Sequence, residues 1–511
     1  MSHPATLTTF AHWAAQTYGP AVALRSGTQE ISYVELAERV DNCAGALARL
    51  GVVAGNRVAL LADTCPEWTI CDLAIAAVGA VCVPVYPTNS AQENAWVLGD
   101  SGAKLVVCGN DEQSQRVGAV PAVGLGELQG GPPAASPEVD PGDANTIIYT
   151  SGTTGPPKGC IITHANWWAT LDGITSLSAM GQGSTMYLYL PLAHMFARTV
   201  QLATLLSGAT LVYWGGELSR IVDELAEIRP THIPSVPRLF EKAYARVASM
   251  LDKEQLAEYG PSIVQGVFGG RVVEALTGGA PIAKEILEFF DHCGIPIYEA
   301  YGMTEATALI SSNSPGAAKH GTVGRSLPGV EVRIADDGEV LTRGAHVFPG
   351  YHNNPAATTE TIVDGWLHTG DLGELDDDGY LVITGRKKDL IITSAGKNLS
   401  PANMENDLRQ CQWISQAVMY GDRRPYAVAL ITLDAEELTR AGLSHEQGRE
   451  LVGAFVKEVN ERYAPPERVR RHAVLDHDFS VEAGDLTPSL KVRRKVVFER
   501  YQALFESLYD N

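Results

Sequence analysis

Tyr149-Thr-Ser-Gly-Thr-Thr-Gly-Pro-Pro-Lys-Gly159 is the most informative segment of this chain, because a buried-strand pattern leads there into hydroxyls, glycines and one lysine. The glycines allow a tight turn and let backbone N–H groups approach a phosphate closely. Lys158 adds a cation, and the hydroxyl donors are Thr150, Ser151, Thr153 and Thr154, with Gly152 between them. The pattern predicts a phosphate-binding loop. It is not a Walker A motif, since Gly159 follows the lysine where serine or threonine is required.

Strand and helix patterns alternate on both sides of this loop. Residues 57–62 (RVALLA), 81–85 (VCVPV) and 104–108 (KLVVC) are typical of short strands. The segments between them have helical patterns, one opening with Pro66 in its first turn and one with Ser90 as N-cap. Such alternation predicts a parallel sheet covered by helices, and it continues to about residue 310.

The later part of the chain has a different pattern. Residues 330–344 and 373–385 are short alternating strands on either side of Asp-Gly turns, so they predict antiparallel hairpins. From about residue 389 a smaller segment of mixed α/β pattern follows.

Charge excludes some function classes. The 511 residues carry a formal net charge of −21, with 45% hydrophobic and 19% charged residues, which is typical of a globular protein. Residues 389–511 hold 16 basic and 19 acidic side chains, so nearly all of the excess negative charge lies in the preceding part. A net negative chain is not attracted as a whole to nucleic acid or to an anionic membrane, and we expect no nucleic-acid partner.

Other features favour a cytoplasmic location. The first residues lack a basic and apolar signal pattern, and the longest apolar stretch, 73–86, is too short to span a bilayer. We therefore expect no transmembrane segment and at most peripheral membrane contact. The eight cysteines form no C-x-x-C pair, which is typical of free thiols in a reducing compartment.

Further motifs accompany the phosphate loop in a fixed order. They are Thr277-Gly-Gly-Ala-Pro281, Tyr301-Gly-Met-Thr-Glu305, Gly365-Trp-Leu-His-Thr-Gly-Asp371, Gly385-Arg-Lys-Lys-Asp-Leu390 and Leu486-Thr-Pro-Ser-Leu-Lys491. Together with YTSGTTGPPKG they resemble the adenylate-forming superfamily of acyl-CoA synthetases, aryl-CoA ligases, adenylation domains and firefly luciferase. The resemblance covers essentially the whole chain and is strongest to bacterial long-chain fatty acyl-CoA synthetases.

The resemblance implies an α/β fold in two parts. Residues 1–387 would form a large N-terminal domain of helix-covered β-sheets plus a distorted antiparallel β-barrel, binding ATP and the acid. Residues 388–511 would form a small mobile α+β lid that rotates about a hinge at Lys388. After rotation, Gly396 would leave room for the pantetheine arm of coenzyme A.

The resemblance also implies roles for individual residues. Gly279, Ala280 and Tyr301 would enclose the adenine. Asp371 would accept hydrogen bonds from the ribose hydroxyls, and Arg386 would bind the ribose or a phosphate. Thr304 would contact the α-phosphate, and Glu305 would hold the ATP magnesium, an ion that prefers oxygen ligands. Lys491 would be the catalytic cation, although Leu490 replaces the glycine that precedes this lysine in most relatives. Arg493, Arg494 and Lys495 lie close to it, and we interpret the four cations as a local anion site.

A separate motif concerns the part of the site that would bind the acid. Residues 191–198 (PLAHMFAR) stand where the family has its acyl-pocket motif. The resemblance implies that His194 would lie near the acyl carboxylate and that Arg198 and Gly302 would line the pocket. No aspartate is present there for a substrate ammonium group, which argues against an amino acid. Arg198 stands where some long-chain enzymes have a gating tryptophan, so the acyl chain length stays open.

The expected reaction joins a medium- or long-chain fatty acid to coenzyme A, with ATP and Mg²⁺, through an acyl-adenylate. An aryl or unusual specialised-metabolism acid, or an acyl carrier protein as acceptor, are alternatives of the same chemistry. A regulatory protein that binds nucleotide without catalysis is a further alternative. It would have no reason to keep the lysine at the reacting centre.

Overall fold

The computed structural model of the protein describes residues 3–131, 137–150, 156–217, 220–394, 397–487 and 491–510. The helices are α1 Phe10–Tyr18, α2 Tyr33–Arg49, α3 Pro66–Ala77, α4 Ala91–Ser101, α5 Asp111–Ser114, α6 His164–Leu177, α7 Met195–Leu206, α8 Ile221–Ile228, α9 Pro237–Ala248, α10 Lys253–Val267, α11 Lys284–His292, α12 Pro355–Thr361, α13 Pro401–Arg409, α14 Ala435–Ala441, α15 His445–Glu461, α16 Arg494–Arg500 and α17 Gln502–Ser507.

The strands are β1 Val22–Ser26, β2 Gln29–Ser32, β3 Arg57–Leu61, β4 Val81–Val85, β5 Leu105–Cys108, β6 Ala122–Gly124, β7 Ala144–Thr150, β8 Lys158–Thr163, β9 Thr185–Leu188, β10 Thr210–Tyr213, β11 His232–Ser235, β12 Glu274–Gly278, β13 Ile297–Tyr301, β14 Ser311–Ser312, β15 Arg325–Ser326, β16 Glu331–Ile334, β17 Glu339–Arg343, β18 Gly350–Tyr351, β19 Ile362–Val363, β20 Trp366–Leu375, β21 Leu381–Arg386, β22 Ile391–Ile392, β23 Asn398–Leu399, β24 Ile414–Tyr420, β25 Ala427–Leu433 and β26 Val469–Val474.

The first sheet has the strand order β18-β8-β7-β4-β3-β5-β6, and its β7-β4-β3-β5-β6 portion is parallel. The two predicted helix starts are confirmed. Pro66 occupies the first turn of α3, where its missing N–H is not needed, and Ser90 forms a capping box with Glu93 at the start of α4. The antiparallel strands β8 and β18 extend the sheet beyond the phosphate loop.

The second sheet has the order β15-β14-β13-β12-β11-β9-β10-β1-β2 and is parallel from β13 to β1. Its parallel strands end at one edge, so Gly278 of β12 and Tyr301 of β13 lie close together. In open α/β sheets this carboxyl edge is where ligands bind. Two of the predicted motifs therefore begin at the same place.

One large core joins the two sheets. Helices α2, α3, α6 and α7 contribute buried side chains to it, and both sheets face it. Strand alternation is visible in β3, where Val58 and Leu60 face this core while Ala59 and Leu61 pack on α4 at the outer face. The outer face of the second sheet is covered by α8 to α11. The predicted helix-covered sheets are thus confirmed.

The predicted hairpins form a five-stranded antiparallel sheet in which β16, β17, β20 and β19 are neighbours and β21 pairs with β20. Within the described part of the chain this sheet stays open, so the distorted antiparallel barrel that we expected does not close. The long strand β20 connects this sheet, since it pairs with β17, β19 and β21.

The C-terminal part is a small α+β unit, as predicted. Strands β24 and β25 are antiparallel and β26 joins β25 in parallel, with α13 and α15 on one face and α16 and α17 on the other. Across the described ranges, no helix has the length and apolar character needed to cross a bilayer.

Candidate active site

The phosphate loop connects β7 and β8 as an antiparallel hairpin, with Thr150 opposite Lys158. Ser151, Gly152, Thr153 and Thr154 lie outside the described residues. The exit of the loop is held from α4, since the indole N–H of Trp96 donates to the Pro157 carbonyl oxygen at 3.0 Å. The Lys158 Nζ atom lies 4.9 Å from the centre of the Tyr351 ring, so its cation faces an aromatic side chain.

Glu305 lies next to the same aromatic ring. The Tyr351 hydroxyl donates to its Oε1 atom at 2.7 Å, and the carboxylate is almost fully buried. No other hydrogen bond to this side chain is found in the described chain, which leaves Oε2 free. No cluster of three acidic, histidine or cysteine side chains able to hold a metal occurs in the same ranges. A single carboxylate fits Mg²⁺, which takes one or two carboxylates together with substrate phosphates.

The segment around Thr304 and Glu305 is a tight turn. Thr307 and Ala308 have φ of 48° and 81°, and Thr304 is half-buried at the start of the turn. A Cβ atom on Gly302 would lie 1.8 Å from the Ala308 carbonyl oxygen. The glycine at 302 is therefore required by the close approach of its own turn, whatever lies in the cavity beyond.

Tyr301, Asp371 and Arg386 form a cluster of polar contacts that joins β13 to β20 and β21. The Tyr301 hydroxyl donates to Asp371 Oδ2 at 2.7 Å, and Arg386 Nε lies 3.0 Å from Oδ1. Asp371 and Arg386 are cross-strand partners on β20 and β21. Burial raises the pKa of Asp371, while Arg386 opposes the rise. The Asp371 Oδ2 atom accepts from Tyr301, and Oδ1 is paired with the Arg386 cation, but both oxygens keep lone pairs for a ligand hydroxyl.

Lys491 reaches this cluster from the C-terminal unit. Its backbone N–H donates to Thr487 Oγ1 at 3.0 Å and its carbonyl oxygen accepts from the Thr487 N–H at 2.7 Å. Its Nζ atom lies 4.0 Å from the position that a Cβ on Gly279 would occupy. Gly279 has φ of +83°, and Ala280 beside it is half-buried. Thus the lysine ends against the glycine-rich edge of β12.

The electrostatic environment of Lys491 comes from both sides of the cleft. Burial lowers its pKa, the Arg386 cation lowers it further, and the Asp371 carboxylate raises it. Burial, followed by the Lys491 charge, lowers the pKa of His194 to about 4. His194 is the N-cap of α7, and its Nδ1 accepts from the Phe196 N–H at 3.2 Å. It is therefore a neutral side chain near pH 7.

Arg198 does not lie where we expected. It is 2% exposed, and both Asp72 carboxylate oxygens and Thr146 Oγ1 accept its hydrogen bonds, the last at 2.7 Å. Its guanidinium stacks near the Trp167 ring, 5.3 Å from the centroid. The prediction that it lines the acyl pocket is wrong, because Asp72 on α3 supplies a buried counter-charge that draws it into the core.

The predicted anion cluster is largely neutralised. Arg493 donates to Glu93 of the N-terminal part at 3.0 Å, and Arg494 pairs with Glu405. Lys495 is exposed and lies 3.9 Å from Glu499. Among the described residues Lys491 alone of the four has no ion pair, so the interpretation of the four cations as one anion site is wrong.

An apolar cavity of about 60 Å³ opens beside this cleft, between the inner face of the second sheet and helices α6 and α7. Its lining includes Ile174, Leu177, Met186, Phe196, Val200, Ala203, Leu276, Leu309 and Leu327, together with His232 and Glu274. Its volume corresponds to about four to six water-sized spheres, which suits a slim chain better than a bulky ring system. Sequence reasoning missed these lining residues, because apolar side chains at strand and helix spacing are typical of any core.

Two predicted positions stay untested by this geometry. Gly396 lies outside the described residues, so its relation to coenzyme A remains a prediction. Lys388 is exposed in a short turn, Lys387–Asp389, that follows β21.

Comparison with known proteins identifies the class. A family model described as AMP-binding enzyme matches residues 10–352, and one described as AMP-binding enzyme C-terminal domain matches residues 388–511. The chain therefore belongs to the AMP-binding enzyme family.

Particular relatives sharpen this assignment. The chain is 36% identical to the long-chain-fatty-acid–CoA ligase FadD15 of Mycobacterium tuberculosis, covering 94% of this chain and 92% of that protein. It is 28% identical to the long-chain-fatty-acid–CoA ligase ACSBG2 of Gallus gallus, covering 97% and 80%.

Solved structures share the fold. The adenylation domain of a carboxylate reductase from Mycobacterium chelonae has a TM-score of 0.86 at 23% identity, covering 99% of this chain and 91% of that one. The O-succinylbenzoate coenzyme A synthetase of Bacillus subtilis in complex with ATP and magnesium has a TM-score of 0.76 at 25% identity, covering 95% and 98%.

Proposed function

We propose that the protein is an AMP-forming acyl-CoA ligase that acts on fatty acids. A fatty acid and ATP would give an acyl-adenylate and pyrophosphate, and coenzyme A would then take the acyl group with release of AMP. One observation carries the proposal: Lys491 reaches from the C-terminal unit to the Gly279 edge of β12, where its charge interacts with His194, Asp371 and Arg386. The relatives named as long-chain-fatty-acid–CoA ligases support the choice of acid.

The charges explain why these residues are needed. A carboxylate oxygen must approach the α-phosphorus while both groups are anionic, and Coulomb repulsion opposes this. Lys491 would bridge the carboxylate and the α-phosphate as the new P–O bond forms and pyrophosphate leaves. Lys158 would bind the outer phosphates with the loop hydroxyls of Thr150, Ser151, Thr153 and Thr154. When bound with ATP, Mg²⁺ would neutralise further phosphate charge, held by Glu305.

The remaining residues would position the two substrates. Thr304 would donate to the α-phosphate, and Gly279, Ala280 and Tyr301 would enclose the adenine. Asp371 would accept from the ribose hydroxyls through its unused lone pairs, with Arg386 beside it. His194 would lie near the acyl carboxylate as a neutral donor, since burial and Lys491 lower its pKa to about 4.

The thioester step requires a second arrangement of the two parts. The coenzyme A sulfur would attack the acyl carbonyl carbon, and the carbon–oxygen bond to AMP would break. We propose that residues 388–511 rotate about Lys388 so that Lys491 withdraws and the region of Gly396 approaches. Lys387 is tied to Glu339 at 3.0 Å on one side, and Asp389 lies 3.5 Å from Arg494 on the other. Exposed Lys388 between these anchors suits a hinge.

We also propose a cytoplasmic location. All eight cysteines are free in the structure, and seven of them are buried. Free thiols persist in a reducing compartment, whereas secreted proteins tend to pair them.

Acid-dependent ATP–pyrophosphate exchange tests the proposal. We expect exchange with saturated fatty acids and none with benzoates or amino acids, followed by acyl-CoA formation when coenzyme A is added. Exchange with benzoates alone would overturn the fatty-acid assignment, and binding of ATP without exchange for any acid would indicate a regulatory protein instead.

A further inference from the structure

The end of the apolar cavity that lies far from the cleft is polar. His232 opens β11 and Glu274 opens β12, and the two residues are register partners on adjacent parallel strands. The reacting groups lie at the opposite, carboxyl ends of these strands, next to Gly278 and Tyr301. Both His232 and Glu274 line the cavity, whereas Leu276 between them and the cleft is apolar. A slim chain that enters from the cleft would therefore meet two polar side chains at its tip.

Glu274 is a buried carboxyl group with an incomplete set of partners. Its Oε2 atom accepts from the Ser178 hydroxyl at 3.0 Å and from the Ala179 N–H at 3.4 Å. No hydrogen bond to Oε1 is found among the residues that the structure describes. Burial raises the pKa of this carboxyl group, while Ser178 opposes the rise. Glu274 thus offers a free oxygen at the tip of the cavity.

His232 has an orphaned ring nitrogen. The side chain is 3% exposed, and its Nδ1 atom lies 2.8 Å from Thr231 Oγ1. Its Nε2 atom is buried without a hydrogen-bond partner in the described chain, since Glu274 Oε2 at 3.8 Å is beyond hydrogen-bond range. Buried polar atoms are normally satisfied, so an unpaired one in a ligand cavity indicates a missing partner.

We propose that this end of the cavity binds a hydroxyl group, so that the preferred substrate is a fatty acid hydroxylated at its distal end. The inference rests on the proposed acid activation and names its substrate class. Thr231 can give its proton to Thr185 O or to His232, so Nε2 is either an acceptor or a donor. A hydroxyl group fits both cases. It can donate its hydrogen bond to an accepting Nε2 atom, or it can accept from a donating Nε2 atom and donate to Glu274 Oε1.

Other polar end groups fit less well. An ammonium group has donors only, so it could pair with Glu274 but would leave a donating Nε2 atom of His232 unsatisfied. A carboxylate has acceptors only and would lie against the Glu274 carboxyl group. A plain methyl end would leave the Nε2 atom and the carboxyl oxygen unsatisfied, which is the type of mismatch by which enzymes reject an analogue lacking a hydroxyl.

The length of the strand sets the length of the acid. Strand β12 runs four residue steps from Glu274 to Gly278, about 13 Å at ~3.3 Å per residue. An extended carbon chain advances about 1.1–1.3 Å per bond, so it covers 13 Å in about ten to twelve bonds. The probe that matches this length is 12-hydroxydodecanoic acid.

The experiment compares kcat/KM for pyrophosphate exchange with four acids of equal length: dodecanoic, 12-hydroxydodecanoic, 12-aminododecanoic and dodecanedioic acid. For the wild type we expect the hydroxy acid to exceed dodecanoic acid by about tenfold or more, because its hydroxyl completes buried hydrogen bonds. His232→Val should remove this preference and raise the value for dodecanoic acid.

The matched control is Tyr187→Phe. Tyr187 is a fully buried residue of the same sheet whose hydroxyl donates to Glu224, and it does not line the cavity. This variant removes a buried hydrogen bond of the same kind and should keep the wild-type acid preference. Thermal melting of both variants checks that the fold is retained. Glu274→Gln gives a second, nearly isosteric variant and should also weaken the preference for the hydroxy acid.

Each outcome separates the inference from the proposed function. Equal or better exchange with dodecanoic acid in the wild type, unchanged in His232→Val, would overturn the hydroxyl site and leave the fatty-acid ligase intact. A preference for 12-aminododecanoic acid or for dodecanedioic acid would overturn the hydroxyl assignment and would indicate a site for an ammonium or a carboxylate group instead. Exchange with none of these acids, nor with shorter or longer fatty acids, would overturn the proposed function itself.

Discussion

The proposed nucleotide cleft and the apolar cavity that we propose for the acyl chain are built in different ways. The cleft is formed by loops and turns at strand ends, where glycines, a lysine and carboxylates are each demanded by one local task. The cavity is formed by side chains in the middle of strands and helices, such as Leu276 on β12 and Val200 on α7. Its titratable lining residues are His232 and Glu274, whereas other polar lining side chains, such as Ser178, Thr199 and Asn313, donate hydrogen bonds within the protein.

This difference explains why the cleft residues could be predicted from the sequence, whereas the residues that line the cavity could not. A turn that needs φ near +83° at Gly279, or a Gly302 whose Cβ would strike a carbonyl oxygen, accepts almost no other residue. A cavity wall accepts any apolar side chain of about the right volume. The cleft thus gives a recognisable motif, and the cavity gives a pattern shared with every hydrophobic core.

The sharpest way to test the cleft is Lys491→Ala. Removing the cation between the acid and the α-phosphate should slow adenylation by about 10²–10³-fold. Transfer of the acyl group from supplied acyl-adenylate to coenzyme A should be largely retained, since our proposal withdraws Lys491 for that step. Pyrophosphate exchange and thioester formation, measured separately, check both claims. Lys495→Ala, four residues along the chain and exposed, is the control; equal loss in both half-reactions for Lys491→Ala would contradict the assignment.

On the acyl side, Arg198→Met tests whether this residue belongs to the core or to the pocket. It leaves Asp72 charged and buried, so we expect a loss of about 3–5 kcal/mol in the free energy of unfolding. The preference among fatty acids of different length should not change for the folded fraction. Denaturant unfolding and exchange assays measure the two effects.

The double variant Arg198→Met with Asp72→Leu supplies the control, because it removes both charges and should recover part of the lost stability. If Arg198→Met changes the preference for fatty-acid length but not the free energy of unfolding, then Arg198 lines the acyl pocket after all.

Contact between the two parts can be tested at Arg493→Met. Its guanidinium donates to Glu93 on α4, the helix that also holds the phosphate-loop exit through Trp96. Because both charged groups are partly exposed, we expect only about a 2- to 5-fold loss in adenylation. High salt should reduce the wild-type rate toward that of the variant. A loss confined to the thioester step would show that this ion pair does not hold the adenylation arrangement.

The smallest expected effect is a shift in pH dependence. Burial and Arg386 lower the pKa of Lys491. As the pH rises, the Lys491 side chain should therefore lose its proton before a free lysine does, whose pKa is about 10.4. The alkaline limb of kcat/KM for adenylation should therefore fall at a lower pH than for a free lysine. Asp371 raises this pKa, so Asp371→Asn should move the limb further down. If the alkaline limb of kcat/KM lies at the same pH in Asp371→Asn as in the wild type, then Lys491 is not the group whose titration causes it.

Much of the fold could be predicted from the sequence. The strands 81–85 and 104–108, the Ser90 cap and the hairpins around the Asp-Gly turns depend on neighbours within a few residues, and all occur in the structure. The open antiparallel sheet could not be predicted, since closure of a barrel depends on pairing between strands far apart in the chain.

The sequence by itself determined the family, the order of the motifs and the residues that we propose to bind ATP, because each motif meets a local backbone or charge requirement. Tertiary structure decided the partners of charged side chains: Arg198 with Asp72 and Arg493 with Glu93 are pairs separated by 126 and 400 residues. It also decided the polar tip of the acyl cavity. His232 and Glu274 meet only because two parallel strands start in register, and spacing along a chain carries no record of which strands become neighbours.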